Sequence, residues 1–141
     1  MTVIERAKRS VVCICVDGVD KGTGVVVAEG KVLTCSHVLG DKENWPSRKF
    51  SIKFLGAMIK QAEDGNSGCV ERCEATEVEI DGDFVADGDH DLAVLKWTGA
   101  LPKDVEVSCF SMSYPRALMQ VFAFGFPESA KYWGQADFFR W

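Results

Sequence analysis

The sequence predicts an all-β domain, either a barrel or a sandwich. Three observations carry that prediction. Short β-branched runs recur along the chain, each bounded by Gly, Asp or Asn turn residues. No stretch sustains a helical apolar period beyond a single turn at Ser36–Gly40. Across 141 residues, 47% are hydrophobic and 26% charged, the balance of a folded globular chain and not of a disordered one.

Ser10–Val16 is a β-branched run that ends at Asp17-Gly18. Thr23–Ala28 is entered through Gly22-Thr23-Gly24 and closed by Glu29-Gly30. Lys31–Cys35 follows at once, so the two read as a hairpin whose turn takes its positive φ from Gly30. Lys49–Ile59 is apolar with interspersed lysines and runs into the turn Glu63-Asp64-Gly65-Asn66-Ser67-Gly68. Cys69–Ile80 alternates at its end, and Asp91–Trp97 closes a set of six strands. Thr98–Arg116, with Gly99, Pro102 and Pro115, reads as a connector. Ala117–Phe126 and Tyr132–Trp141 read as two further strands.

Composition removes several function classes. The net charge is −5 with no basic stripe, which disfavours nucleic acid as a partner. The longest purely apolar run, Val11–Val16, is far too short for a membrane-spanning helix. Residues 1–10 lack a signal-peptide core and a cleavage site, so a cytoplasmic chain with reduced cysteines is expected. Cys13 and Cys15 point the same way on a strand and read as small packed residues. Cys69 and Cys73 have half-site spacing for zinc, but no second Cys/His pair completes four ligands. No metal and no cofactor are expected.

Three segments stand out together: Gly22-Thr23-Gly24 followed by Thr34-Cys35-Ser36-His37-Val38, then Asp89-His90-Asp91-Leu92-Ala93-Val94-Leu95, then Val121-Phe122-Ala123-Phe124-Gly125-Phe126-Pro127. Their order and local sequence resemble the trypsin-like serine peptidases of the chymotrypsin fold. The likeness is to bacterial intracellular and HtrA-like members more than to the disulfide-rich secreted ones. It covers roughly residues 8–127, with unmatched loops at 41–48 and 60–74. It implies a six-stranded antiparallel Greek-key barrel over residues 1–97, a connector over 98–116 and the start of a second barrel over 117–141.

The chemistry agrees with the resemblance. A serine hydroxyl is a weak nucleophile until an imidazole takes its proton. The imidazole in turn needs a carboxylate on its other nitrogen. The resemblance implies that His37 is the general base and Asp91 its orienting partner. Both fall at strand ends, on a barrel rim. His90, in the same acidic stretch, reads as a surface residue. Asp87-x-Asp89-x-Asp91 begins like a calcium loop, but Leu92 and Thr98 stand where that loop needs Gly and Glu.

The family places its nucleophile after the aspartate, in a Gly-x-Ser-Gly turn. Ser108, Ser111, Ser113 and Ser129 follow Asp91, and none has that context. Asp64-Gly65-Asn66-Ser67-Gly68 looks like the nucleophile turn but precedes Asp91, and reads better as a hairpin tip with Ser67 a disfavoured nucleophile. The chain is therefore expected to be an N-terminal piece of a longer, multidomain serine endopeptidase. Its nucleophile, oxyanion hole and substrate pocket would lie beyond Trp141, with truncation on that side only. A protein or peptide substrate, the remainder of the parent chain, and self-association through uncovered strand edges are the expected partners. Two other readings stay open: a catalytically inactive trypsin-like binding or scaffold module, and a small barrel binding a ligand or metal through the acidic loop 81–91.

Overall fold

The computed structural model describes residues 3–54, 76–80, 84–114, 116–119, 122–125 and 137–140. Its core is a curled antiparallel sheet of β1 (Val11–Val16), β2 (Val19–Ala28), β3 (Lys31–Thr34), β4 (Phe50–Phe54), β5 (Thr76–Glu79), β6 (Val85–Asp87) and β7 (Leu92–Lys96). The spatial order is β5-β4-β1-β2-β3-β7-β6. β1, β2 and β3 form a meander and β4 returns to lie beside β1, which is the Greek-key order.

The count of six strands follows from how the sheet closes. β5 and β6 sit at opposite edges of the sheet, yet only residues 80–84 separate them. That linker spans at most roughly 20 Å when fully extended, so the two edges must curl toward each other. β5 pairs with β4 and β6 with β7. β5 and β6 thus each extend one edge of the sheet. The backbone amide of Ile80 donates to the Phe50 carbonyl at 3.0 Å, and the Phe84 ring meets Phe50 and Trp45 edge-on at 5.2 and 4.7 Å.

β1 explains itself chemically. Val12, Ile14 and Val16 face the barrel core, with Ile52, Phe54, Val26, Val32 and Leu95. Phe54 is fully buried and stacks edge-on against Trp97 at 5.5 Å. β2 begins earlier than Thr23. Asp17 and Gly18 both have positive φ (52° and 78°), the pattern of a two-residue type I′ turn, and Val16 pairs directly with Val19. Asp17-Gly18 therefore turns a hairpin and does not simply end a strand. The second hairpin, at Glu29-Gly30, has the expected positive φ at Gly30.

Other elements differ from the sequence reading. A six-residue helix, α1 (Val3–Lys8), precedes β1, and 3-10 turns cover Ser36–Leu39 and Lys42–Ser47. These pieces are too short for a helical period to register. β6 lies inside what reads as an acidic loop. Its three residues are all exposed, so no apolar alternation marks it. β4 and β5 fall within Lys49–Ile59 and Cys69–Ile80, of which residues 55–59 and 69–75 lie outside the described residues.

Residues 98–114 contain no strand or helix but are tied to the barrel. The amides of Glu106 and Ser108 donate to the carbonyls of Arg9 and Val26 at 3.2 and 2.8 Å, and Val105 is buried in the core. β8 (Phe122–Gly125) and β9 (Asp137–Arg140) pair in a separate two-stranded sheet. Of the runs Ala117–Phe126 and Tyr132–Trp141, residues 117–119 precede β8 as a turn, and 120, 121, 126, 132–136 and 141 lie outside the described residues. β8 also touches β1. No helix among the described residues is long and apolar enough to cross a membrane.

Candidate active site

β3 and β7 are antiparallel neighbours, with Thr34 paired to Ala93. Extending that register by two residues sets Ser36 across from Asp91. The Ser36 amide indeed donates to the Asp91 carbonyl at 3.2 Å. Here the chain after β3 coils into the 3-10 turn Ser36–Leu39, and the chain before β7 turns through Gly88–Asp91. Asp91 takes a positive φ of 53°, a conformation that Asp tolerates better than most residues. Two residues 54 apart in sequence therefore face each other at one rim of the barrel.

The Asp91 carboxylate gathers donors from both residues opposite it. His37 Nδ1 lies 2.6 Å from Oδ2. The His37 backbone amide and the Ser36 hydroxyl each donate to Oδ1 at 2.9 Å. Those bonds, the imidazole's first, hold the Asp91 carboxyl below the usual carboxylate range. A carboxylate only accepts, so Nδ1 must carry the proton and Nε2 is left as the basic nitrogen. Both side chains remain open to solvent, His37 more than Asp91.

Glycines on β2 let the turn sit close. A Cβ on Gly22 would come within 2.7 Å of Val38, the residue after His37. A Cβ on Gly24 would meet Val32, Ile14 and Val12 at 2.5, 3.0 and 3.1 Å. Between them, the Thr23 carbonyl accepts a 2.7 Å hydrogen bond from the Thr34 hydroxyl. The Gly-Thr-Gly run thus fixes the floor beneath the His37 turn. Beside His37 opens a cleft of about 310 Å³, bordered by Lys21, Gly40, Asp41 and Asn44. A larger one, about 640 Å³ around Trp45 and Phe84, includes neither His37 nor Asp91.

Among the described residues, no serine hydroxyl hydrogen-bonds to the His37 imidazole. Ser67 lies outside the described residues, as do Cys69, Cys73 and Ser129. Ser108 belongs to the connector, its amide bound to Val26. His90 is exposed and pairs with Asp87 at 2.7 Å within its own turn. Two neighbours of the pair carry no sequence-level assignment. One is Ser36, whose contact with Asp91 the β3–β7 register alone reveals. The other is Cys35, whose sulfur lies with donor atoms of His37 and Asp91 inside a 4.8 Å group.

A family described as a trypsin-like peptidase domain matches residues 22–137. No curated protein matches the chain. Among solved structures it is similar to Deg5, with 22% identity and a TM-score of 0.63 over 97% of this chain and 58% of that one. It is also similar to neuropsin, a serine protease expressed in the limbic system of mouse brain. There the identity is 13% and the TM-score 0.58, over 85% of this chain and 51% of that one. The likeness to both is one of fold, and the chain spans little more than half of their length.

Proposed function

The chain belongs to the trypsin-like peptidase domain family, and on that premise we propose that it forms part of a serine endopeptidase in which His37 is the general base and Asp91 its orienting carboxylate. The 2.6 Å contact between His37 Nδ1 and Asp91 is the observation that carries the reading. With Nδ1 holding its proton toward Asp91, Nε2 takes the proton of a serine hydroxyl as that oxygen attacks the peptide carbonyl. Asp91 stabilises the imidazolium, which then protonates the leaving amine. Water, activated by the same nitrogen, hydrolyses the acyl-enzyme. The cleft beside His37 offers room for a peptide substrate to pass the imidazole.

The nucleophile in this reading is a serine encoded after residue 141, because no Gly-x-Ser-Gly follows Asp91 in the sequence. Residues 1–97 then make the first barrel, 98–116 the connector and 117–141 the start of a second. The separate β8–β9 sheet supports that division. The partners are a peptide or protein substrate and the remainder of the parent chain. The free thiols of Cys13, Cys15, Cys35 and Cys109 suit a reducing, cytoplasmic setting.

In the full-length protein, Asp91→Asn is expected to lower kcat/KM for a peptide substrate on the order of 10⁴-fold. His37→Ala should abolish turnover, with the melting temperature of both variants close to that of the parent. Undiminished cleavage by the His37 variant removes the reading. The alternative, a catalytically inactive trypsin-like scaffold module, is not favoured by the family match. A fluorophosphonate probe separates the two, labelling a serine in the first case and none in the second. Labelling at Ser67 would move the nucleophile into the first barrel.

A further inference from the structure

The outer face of β1 carries a cluster that the proposed reaction does not use. Cys13 and Cys15 alternate with the core residues Val12, Ile14 and Val16, so they share the opposite face of the strand. Both are nevertheless fully buried. Lys53 of β4 pairs across from Cys13, and Asp20 of β2 across from Cys15. The second pairing depends on a bulge. Ile14 faces Gly22 but Cys15 faces Asp20, so Lys21 is skipped and an acid stands where an unbroken register would set a lysine.

The four side chains converge. Cys15 Sγ donates to Asp20 Oδ1 at 3.1 Å. Lys53 Nζ donates to the same oxygen at 2.9 Å. The two sulfurs and a carboxylate oxygen all lie within 4.8 Å of one another.

We propose that Cys13, Cys15 and Asp20 form a binding site for a soft divalent cation of the Zn²⁺ class. Two thiolates and one carboxylate are the donor set such ions select over Mg²⁺ or Ca²⁺. The charge balances in both states. Without metal, the cluster holds two neutral thiols, one carboxylate and one ammonium. On binding, the two thiols lose their protons to solvent and a 2+ ion takes their place, so the cluster stays neutral. A net charge would be costly beside the two fully buried sulfurs. Cys15 gives up its hydrogen bond to Asp20, and Lys53 keeps the carboxylate oriented from outside the donor set. The bond with Cys15 and burial push the Cys13 thiol up, so the metal must displace a held proton, as metal binding to thiols generally does.

Cd²⁺ alone is the probe, added to the folded chain after its accessible thiols have been alkylated with iodoacetamide. The expected result is one Cd²⁺ per chain, a sulfur-to-cadmium charge-transfer absorption and a raised melting temperature. Zn²⁺ should remove the absorption by competition, and Mg²⁺ should not. Cys13→Ser and Cys15→Ser should each lose the band, and Asp20→Asn should keep it with affinity reduced at least about tenfold. Cadmium NMR on the unsubstituted chain counts the sulfur ligands and needs no variant. Two sulfurs are expected. No absorption from the folded chain, a band that survives both cysteine substitutions, or a different sulfur count overturns the proposal.

Discussion

His37 and His90 each hold an aspartate at hydrogen-bond distance, 2.6 and 2.7 Å, in neighbouring turns. Distance alone does not tell them apart; the origin of the partner does. His90 bonds Asp87 three residues away, and the amides of Asp89 and His90 complete a local turn. Asp91 instead receives its donors from Ser36 and His37 on another element, so barrel geometry sets its orientation. Asp17, Asp87 and Asp91 all titrate below their ordinary value, through bonds first from the Lys49 amide, His90 and His37 respectively. A depressed folded-state value means stability that is complete above pH about 4 and is lost as pH falls through the lowered values. The melting temperature should therefore drop as pH falls below about 4, and less steeply in Asp91→Asn. An identical acid limb in that variant would show that Asp91 adds nothing to acid sensitivity.

At the level of elements, the two glycines of Gly22-Thr23-Gly24 perform different tasks. Gly24 admits side chains of β1 and β3 into the space a Cβ would fill, and Gly22 admits Val38 of the His37 turn. Gly24→Ala should overpack the core and cost about 1–3 kcal/mol in chemical denaturation. An unchanged midpoint would mean that the strands shift to accommodate the methyl. The run was conspicuous in the sequence, as was the His37 turn. The bulge at Lys21 was not, because a bulge is a property of pairing and β2 read alone shows no break. Nor was β6, whose residues earn no apolar pattern because the strand only has to bridge an edge.

At the scale of the whole molecule, closure depends on the core keeping the two sheet edges within reach of the 80–84 linker. Phe54 is the largest fully buried side chain among the described residues. It sits on β4, next to the edge strand β5, and stacks on Trp97, which follows β7 near the other edge. Phe54→Ala should cost about 3–5 kcal/mol, read as a lower denaturation midpoint. A loss well under 1 kcal/mol would mean the barrel re-closes around the gap. Because His37 follows β3 and Asp91 precedes β7, their contact depends on those two strands staying paired.

The sequence by itself determined the β class, the strand rhythm and the identity of His37 and Asp91 as candidates, because alternation, turn residues and short motifs are local and survive in one dimension. Only the tertiary structure decided that Ser36 and His37 both reach Asp91, that β5 and β6 fall at opposite edges of the sheet, and that Asp20 stands against Cys15. Each of these depends on which strand lies beside which, and in what register. Pairing joins residues far apart along the chain, so no local pattern encodes it.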